Sequence, residues 1–199
     1  MQIHPDSQSQ ANQESFVLAM TKNKKFGHYV EIGACFPIVN SNTYVLETKF
    51  KWTGLSLELL KSRCEYFNLV RKNKCIEGDA RLFNYKKYFI DNNFPKEFDY
   101  LQIDIEPAYN TFLALLKFPL INYKPLVITF EHDKYANNVN WIIQILVFCY
   151  LSLYGYKRLV KNVCPNSMSE SHKEFEDWYI KVKKKDVESY QLLYAKNKF

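Results

Sequence analysis

Acidic side chains recur where the apolar, β-prone runs of this chain stop. Gly54-Leu55-Ser56-Leu57 leads to Glu58, and Cys75-Ile76-Glu77-Gly78 leads to Asp79. Phe98 through Ile103 leads to Asp104-Ile105-Glu106, and Leu126 through Phe130 leads to Glu131-His132-Asp133. A carboxylate at a strand end can accept both hydroxyls of a ribose, the chemistry open to Glu58. Asp79 can accept from an amino group such as that of adenine, or it can cap a helix starting at Ala80. His132, with an ordinary imidazole pKa of about 6.5, suits proton removal near neutrality, and Glu131 and Asp133 on either side could orient its ring. Asp104 and Glu106 are alternative bases. Separated by one residue, they share a face if the strand continues through them. With Glu131 or Asp133 they offer oxygen ligands for a divalent cation such as Mg²⁺. Gly33, closing the run Tyr29-Val30-Glu31-Ile32, permits a tight turn and close approach of a ligand to the backbone. A dinucleotide fingerprint needs three glycines, whereas Gly33-Ala34-Cys35-Phe36-Pro37-Ile38 has one, which disfavours an NAD or FAD pyrophosphate site. A Walker A motif is absent as well.

The elements that must hold these residues alternate along the chain. A short helix covers Phe16–Met20 behind the polar run Ser9 to Glu14, and a strand covers Tyr29–Ile32. Ser41-Asn42-Thr43 offers caps for a helix through about Lys51. Strands are predicted at 54–59 and 75–78, with a helix at 60–72 between them that places Cys64, Phe67 and Val70 on one face. A strand over Phe98–Ile105, a helix carrying Phe112, Leu113, Leu115 and Leu116, and a strand over Leu126–Phe130 follow. The almost wholly apolar run from Trp141 to Tyr154 reads as a helix buried against a sheet. A sixth strand covers Tyr156–Val163, a seventh is suggested at Asp177–Ile180, and the tail with Tyr190, Leu192, Leu193 and Tyr194 reads as a partly docked helix. Strands alternating with helices predict an α/β fold in which a mostly parallel sheet is covered on both faces. Such sheets bind ligands beyond the carboxyl ends of their strands, where the acids recur.

Length and composition set the frame. The chain has 199 residues, 47% hydrophobic and 24% charged, which fits one folded domain spanning 1–199 and excludes a disordered or collagen-like chain. Residues 1–22 form its N-terminal helix and lid segment, and 181–199 its tail. No apolar run reaches the length of a membrane span, and no basic segment followed by an apolar stretch opens the sequence. Five cysteines, odd in number and without a C-x-x-C pair, read as reduced thiols, so the expected compartment is the cytoplasm. The net charge is +6, and only 4 of the 27 basic residues are Arg, which argues against a dedicated reader of phosphates or bases. The aromatic residues fall at core spacing, so nucleic acid is not the expected partner.

Four segments stand out together: Ser9 to Leu18, Tyr29 to Ala34 with Ser41-Asn42-Thr43, Asp99 to Glu106, and Val127 to Asp133. In order and spacing they resemble the FkbM-like family of S-adenosylmethionine-dependent methyltransferases, and Phe175 to Tyr179 looks like that family's closing segment. The likeness runs from about residue 9 to 181. It implies a Rossmann-like, doubly wound sheet of about seven strands, with S-adenosylmethionine as cofactor. It also implies a pose in which Glu31, Gly33 and Ala34 line the methionine moiety, Glu58 holds the ribose, Asp79 faces adenine, and Asp104 lies near the methyl group. Ser41 and Ala80 belong with the cofactor-binding residues. The implied activity is O-methylation of a sugar or glycan hydroxyl, or of a similar small acceptor. The fourth-strand motif departs from Asp-x-Glu-Gly-x-Glu, reading Asp104-Ile105-Glu106-Pro107-Ala108-Tyr109. The role of the final acid therefore does not transfer, and a catalytically inactive cofactor-binding module on the same fold is the alternative. A base-methylating enzyme is disfavoured, because the fourth strand lacks an Asn/Asp-Pro-Pro-Tyr/Phe motif. Oligomeric state is left open. Candidate covers for the pocket are the first 15 residues and the loops at 134–140 and 164–175. Tyr109, Tyr135, Trp141 and Trp178 could stack on a sugar ring.

Overall fold

A computed structural model of the chain describes residues 4–137, 139–166, 173–182 and 186–196. Parts of the 134–140 and 164–175 loops and of the tail lie outside them, as do the side chains of Leu193 and Tyr194. The elements are α1 (Gln13–Met20), β1 (His28–Ile32), α2 (Tyr44–Thr48), β2 (Thr53–Glu58), α3 (Lys61–Val70), β3 (Cys75–Glu77) and α4 (Tyr85–Asp91). They continue with β4 (Glu97–Ile103), α5 (Ala108–Lys117), β5 (Lys124–Glu131), α6 (Asn140–Leu153), β6 (Tyr156–Val163), β7 (Glu176–Lys181) and α7 (Val187–Lys196). The strands form one sheet in the order β3-β2-β1-β4-β5-β7-β6. β1 to β5 run parallel, and β7 is antiparallel to both its neighbours. The seven-stranded, mostly parallel sheet covered by helices is therefore present as expected.

Alternation along the strands divides the core into two layers. Val30 and Ile32 of β1, Leu101 and Ile103 of β4, and Ile128 and Phe130 of β5 face a layer that includes Phe89, Ala114, Leu115, Val147 and Leu151 of α4, α5 and α6. Tyr29, Tyr100, Val127 and Trp178 face the opposite layer, closed by Phe16, Val17 and Met20 of α1 and Val45 and Leu46 of α2. That second side carries a polar row as well. Glu31, Gln102, Thr129 and Trp178 lie in register across four strands.

Several local expectations need correction. α4 was not foreseen. Its sequence Tyr85-Lys86-Lys87-Tyr88-Phe89-Ile90-Asp91 has no strong helix former other than Lys, and it forms because Asn84 caps Lys87 N–H at 3.1 Å and Tyr85 and Phe89 bury one turn apart. Asp79 caps no helix at Ala80, because residues 79–83 make a turn and the helix waits for Asn84. Val70 leaves the buried side of α3 occupied by Cys64 and Phe67. α6 buries only Gln144, Val147 and Leu151 rather than its whole circumference. Among the described residues no helix is long and apolar enough to cross a membrane.

Candidate active site

The strand order reverses between β1 and β4, which makes their carboxyl ends the switch point of the sheet. The two tips touch there. Asp104 N–H donates to Ile32 O at 2.9 Å, and a side chain on Gly33 would put its Cβ 1.7 Å from the Asp104 carbonyl oxygen. Gly33 also has φ +86°, a conformation that L side chains rarely adopt. Its N–H and that of Ala34 both donate to Leu57 O, at 2.9 and 3.0 Å, so the chain folds over β2 as it leaves β1. Cys35 follows with φ +50° and donates its N–H to Glu58 Oε2 at 2.9 Å. Glu58 Oε1 accepts Leu60 N–H, also at 2.9 Å. Glu58 is buried and oriented by two backbone groups, and each of its oxygens keeps a second acceptor site. A diol presented across the β1 and β2 tips meets a carboxylate already held in place.

Asp79, beyond β3, is engaged by Arg81. The Arg81 N–H and Nε reach Oδ1 at 2.9 Å, and Nη2 reaches Oδ2 at 2.6 Å. These hydrogen bonds hold the Asp79 carboxyl below the usual carboxylate range. Arg81 Nη1 continues to Asn110 Oδ1 on α5 at 2.8 Å, which bridges the ends of β3 and β4. An adenine amino group would have to share Asp79 with this fork. Ala80 is buried in the core, and its carbonyl accepts the Tyr85 hydroxyl at 3.0 Å.

Glu31 and Ser41 are enclosed rather than presented to a ligand. Glu31 accepts Thr43 Oγ1–H at 3.0 Å and Ser56 Oγ–H at 2.8 Å, and burial pushes its pKa up against the opposing charge of Arg71. Ser41 Oγ accepts from Arg71 Nη1 at 3.2 Å. Arg71, at the end of α3, is the hub of this enclosure. It donates to Glu47 Oε2 at 2.8 Å, Pro37 O at 2.9 Å and Thr43 O at 3.0 Å, so one buried guanidinium pins the whole 37–43 segment beside the β1 tip.

Negative charge gathers around Asp104. This half-buried carboxyl is pushed well above the usual range, first by burial and then by Glu176, Asp133, Glu106 and Glu31. Burial and Glu106 raise Asp133 to about 6. Glu176 rises to about 7, because burial outweighs the hydrogen bonds from Trp178 Nε1 at 2.7 Å and Gln13 Nε2 at 3.0 Å. The expected shared face of Asp104 and Glu106 does not form, since β4 ends at Ile103 and Glu106 stands exposed beyond it. Among the described residues no three His, Cys, Asp or Glu side chains converge as metal ligands, so Asp104, Glu106, Glu131 and Asp133 do not form an ion's ligand shell.

His132 is fully buried, and its ring is oriented from β7 rather than by Glu131 and Asp133. Nδ1 accepts Lys134 N–H at 3.2 Å, and Nε2 lies 3.4 Å from Asp177 Oδ1. Asp177 also accepts Asn162 N–H at 2.8 Å, Arg158 Nη1 at 2.9 Å and Gln144 Nε2 at 3.0 Å. Burial opposes ionisation of Asp177, yet His132 and these donors hold its carboxyl below the usual range. In this arrangement both ring nitrogens of His132 are engaged inside the fold, Nδ1 by Lys134 N–H and Nε2 beside Gln144 and Asp177. Trp178 is likewise buried, while Tyr109, Tyr135 and Trp141 are each about half exposed. Two clefts of about 460 Å³ lie at the opposite end of the sheet, near Lys124 and Lys181, and neither borders the strand-end acids.

Arg71, Arg81, Gln144 and Asp177 were missed as contributors from sequence. The arginines had a usable signal. In a Lys-rich chain the residues kept as Arg are 63, 71, 81 and 158, and each one is engaged: Arg63 over the Phe36 ring, and the other three on carboxylates.

No family model matches the chain, and no curated protein does. Solved structures share its fold. A protein assigned as an O-methyltransferase from Klebsiella pneumoniae superposes with a TM-score of 0.61 at 12% identity, covering 87% of this chain and 81% of that one. An O-methyltransferase from Bacillus cereus, in complex with S-adenosylhomocysteine, gives 0.57 at 14% identity, covering 90% and 84%. The N-methyltransferase NodS from Bradyrhizobium japonicum, bound to the same molecule, gives 0.52 at 10% identity, covering 86% of each. At these identities the likeness shows the fold.

Proposed function

We propose that this protein is an S-adenosylmethionine-dependent O-methyltransferase of the FkbM-like type, acting on a hydroxyl of a sugar, glycan or similar small acceptor. The observation that carries the reading is the cradle at the switch point. Gly33, lacking a Cβ, lets the tip of β1 close onto the Asp104 carbonyl, and the oriented Glu58 carboxylate stands beside that turn with spare acceptor sites. That donor set fits a ribose diol. Solved structures of the same fold that are described as bound to S-adenosylhomocysteine support the assignment.

In this reading Glu58 binds the ribose, and the backbone at Gly33 and Ala34 lies along the methionine moiety. Asp79 meets adenine beside Arg81. Glu31 and Ser41 act from behind, fixing the 37–43 segment through Thr43 and Arg71. When bound, S-adenosylmethionine supplies a methyl group on a sulfonium, which needs no further activation as a leaving group. The task left to the chain is alignment, exclusion of water and removal of the acceptor's proton. In this reading Asp104 takes that proton, a role supported by its position at the tip of β4 and by a carboxyl made more basic by burial and by the acids around it. His132 is a positioning residue that ties the turn after β5 to β7. Glu106 and Asp133 act on Asp104 through their charge.

The test is turnover. Purified protein incubated with S-adenosylmethionine and a panel of sugars is expected to form S-adenosylhomocysteine with at least one of them. Binding without turnover on any acceptor would replace the enzyme with a cofactor-binding module.

A further inference from the structure

Helix α6 has no charged residue from Asn140 to Leu153. One face is used inside the fold, through Gln144, Val147 and Leu151, and the opposite face is exposed, with Arg158 lying over the Phe148 ring at one edge of it. Trp141 and Ile145 are half exposed, Leu153 is 86% exposed, and Ile142, Leu146 and Phe148 are all exposed as well. A helix that faces water ordinarily carries charged residues there. These six side chains leave on the order of 600 Å² of surface uncovered, the upper end of what the largest patch on a monomer reaches. Two such faces together offer on the order of 1,200 Å², where specific interfaces begin.

The exposed positions form two adjacent rows. One is Trp141, Ile145, Phe148 and Ser152, and the other is Ile142, Leu146, Cys149 and Leu153. Spacings of three and four are those of a helix–helix seam. Bulk is distributed unevenly along it, with Trp141 and Ile142 at the start and the small Cys149 and Ser152 near the end. An antiparallel pair of α6 helices centred at Val147 would set Ile142 on Ser152 and Ile145 on Cys149, with Trp141 beside Leu153, whereas a parallel pair would set Trp141 on Trp141. A two-fold interface uses the same patch twice, and the one charge beside this patch, Arg158 over the Phe148 ring, is neutralised by Asp177.

We infer that α6 forms the centre of a two-fold homodimer, pairing antiparallel with α6 of a second copy of this chain at the level of Val147. In that register the two Cys149 residues are offset by about 6 Å along the helix axis, four residues at the α-helical rise. A short bis-maleimide can join them. The inference is independent of methyl transfer, and neither stands or falls with the other.

The test uses the full chain in sedimentation velocity over a concentration series, for wild type and Ile145→Glu, with circular dichroism and melting of both. The wild type is expected to be a dimer. Ile145→Glu, which would bury a charge at the seam, is expected to raise the dissociation constant at least about 100-fold with folding unchanged. The short bis-maleimide is expected to join the wild type and not Cys149→Ser, and this readout decides if Ile145→Glu fails to fold. A wild type monomeric up to about 100 µM would overturn the inference, because an interface of standard size is filled there. So would a dimer that survives Ile145→Glu, the lack of Cys149-dependent cross-linking, or a monomer that instead binds anionic phospholipid vesicles through this face.

Discussion

Glu58, the last residue of β2, accepts the backbone N–H of Cys35 at 2.9 Å across the tip of β1. Two residues before Cys35, Gly33 makes this possible, its φ of +86° turning the chain over Leu57 O. The same turn thus orients the Glu58 carboxylate and brings the tips of β1 and β4 together.

Gly33→Ala is expected to damage stability and binding together. The new Cβ would meet the Asp104 carbonyl at 1.7 Å, and the backbone would be strained at its present φ. The cost is about 3 kcal/mol or more, read as a lowered denaturation midpoint in urea. Gly155→Ala is the control. It shares a positive φ of +81° but has nothing within 4 Å of its Cβ, so it is expected to pay only the backbone strain.

Removing the guanidinium of Arg71 strands buried acid. Glu47 would lose the guanidinium that pairs with it, and the 37–43 segment would lose its donors. Arg71→Ala is expected to destabilise the fold by about 3–5 kcal/mol. Arg71→Lys is expected to rescue little, because a point charge cannot serve acceptors arranged for a planar fork. Thermal melts of the three proteins check both statements.

Stability is expected to fall as pH rises from about 5 to about 8. Glu176 is raised from 4.5 to about 7, and Glu14, also buried, is raised to about 7. Between those values the folded state binds more protons than the unfolded state, so each group's stabilisation is complete below about 4.5 and lost as pH passes about 7. For Glu176 the shift corresponds to about 3 kcal/mol. Glu176→Gln stays neutral at every pH. Its melting temperature is expected to match the wild type at pH 5 and to exceed it by about 5–10 °C at pH 8.

Asp104 is expected to govern the acid limb of the rate. Because its carboxyl is pushed well above the ordinary range, activity should already decline with falling pH in a region where a free aspartate remains ionised. Asp104→Asn is expected to lower kcat at least about 100-fold with little change in S-adenosylhomocysteine affinity. His132→Asn should instead lower the melting temperature, since it breaks a contact with Asp177 and leaves the acid limb in place.

Much of the fold was readable because each strand carries its own pattern. β4 and β5 are β-branched and aromatic runs bounded by turns, and the acids that end them mark the sheet's carboxyl edge. α4 was not readable, since its seven residues depend on a cap and on two aromatics that find the core only in three dimensions. The site divides in the same way. Gly33 and Glu58 could be picked out because turn chemistry and strand ends are local. The enclosure of His132 could not, because Asp177 lies 45 positions along the chain and reaches it only when β7 inserts antiparallel beside β5. Arg71 escaped for a related reason. The groups it serves, from Tyr29 to Glu47, precede it in sequence and meet it only where α3 ends.

Isothermal titration of the purified chain with S-adenosylhomocysteine, with NAD as a control, tests the central claim most directly. Wild type is expected to bind S-adenosylhomocysteine and not NAD. Glu58→Ala is expected to weaken that binding at least about 10-fold, the loss of a pair of hydrogen bonds to a charged acceptor. Absence of S-adenosylhomocysteine binding at millimolar ligand, by a protein whose melt shows it folded, would contradict the account.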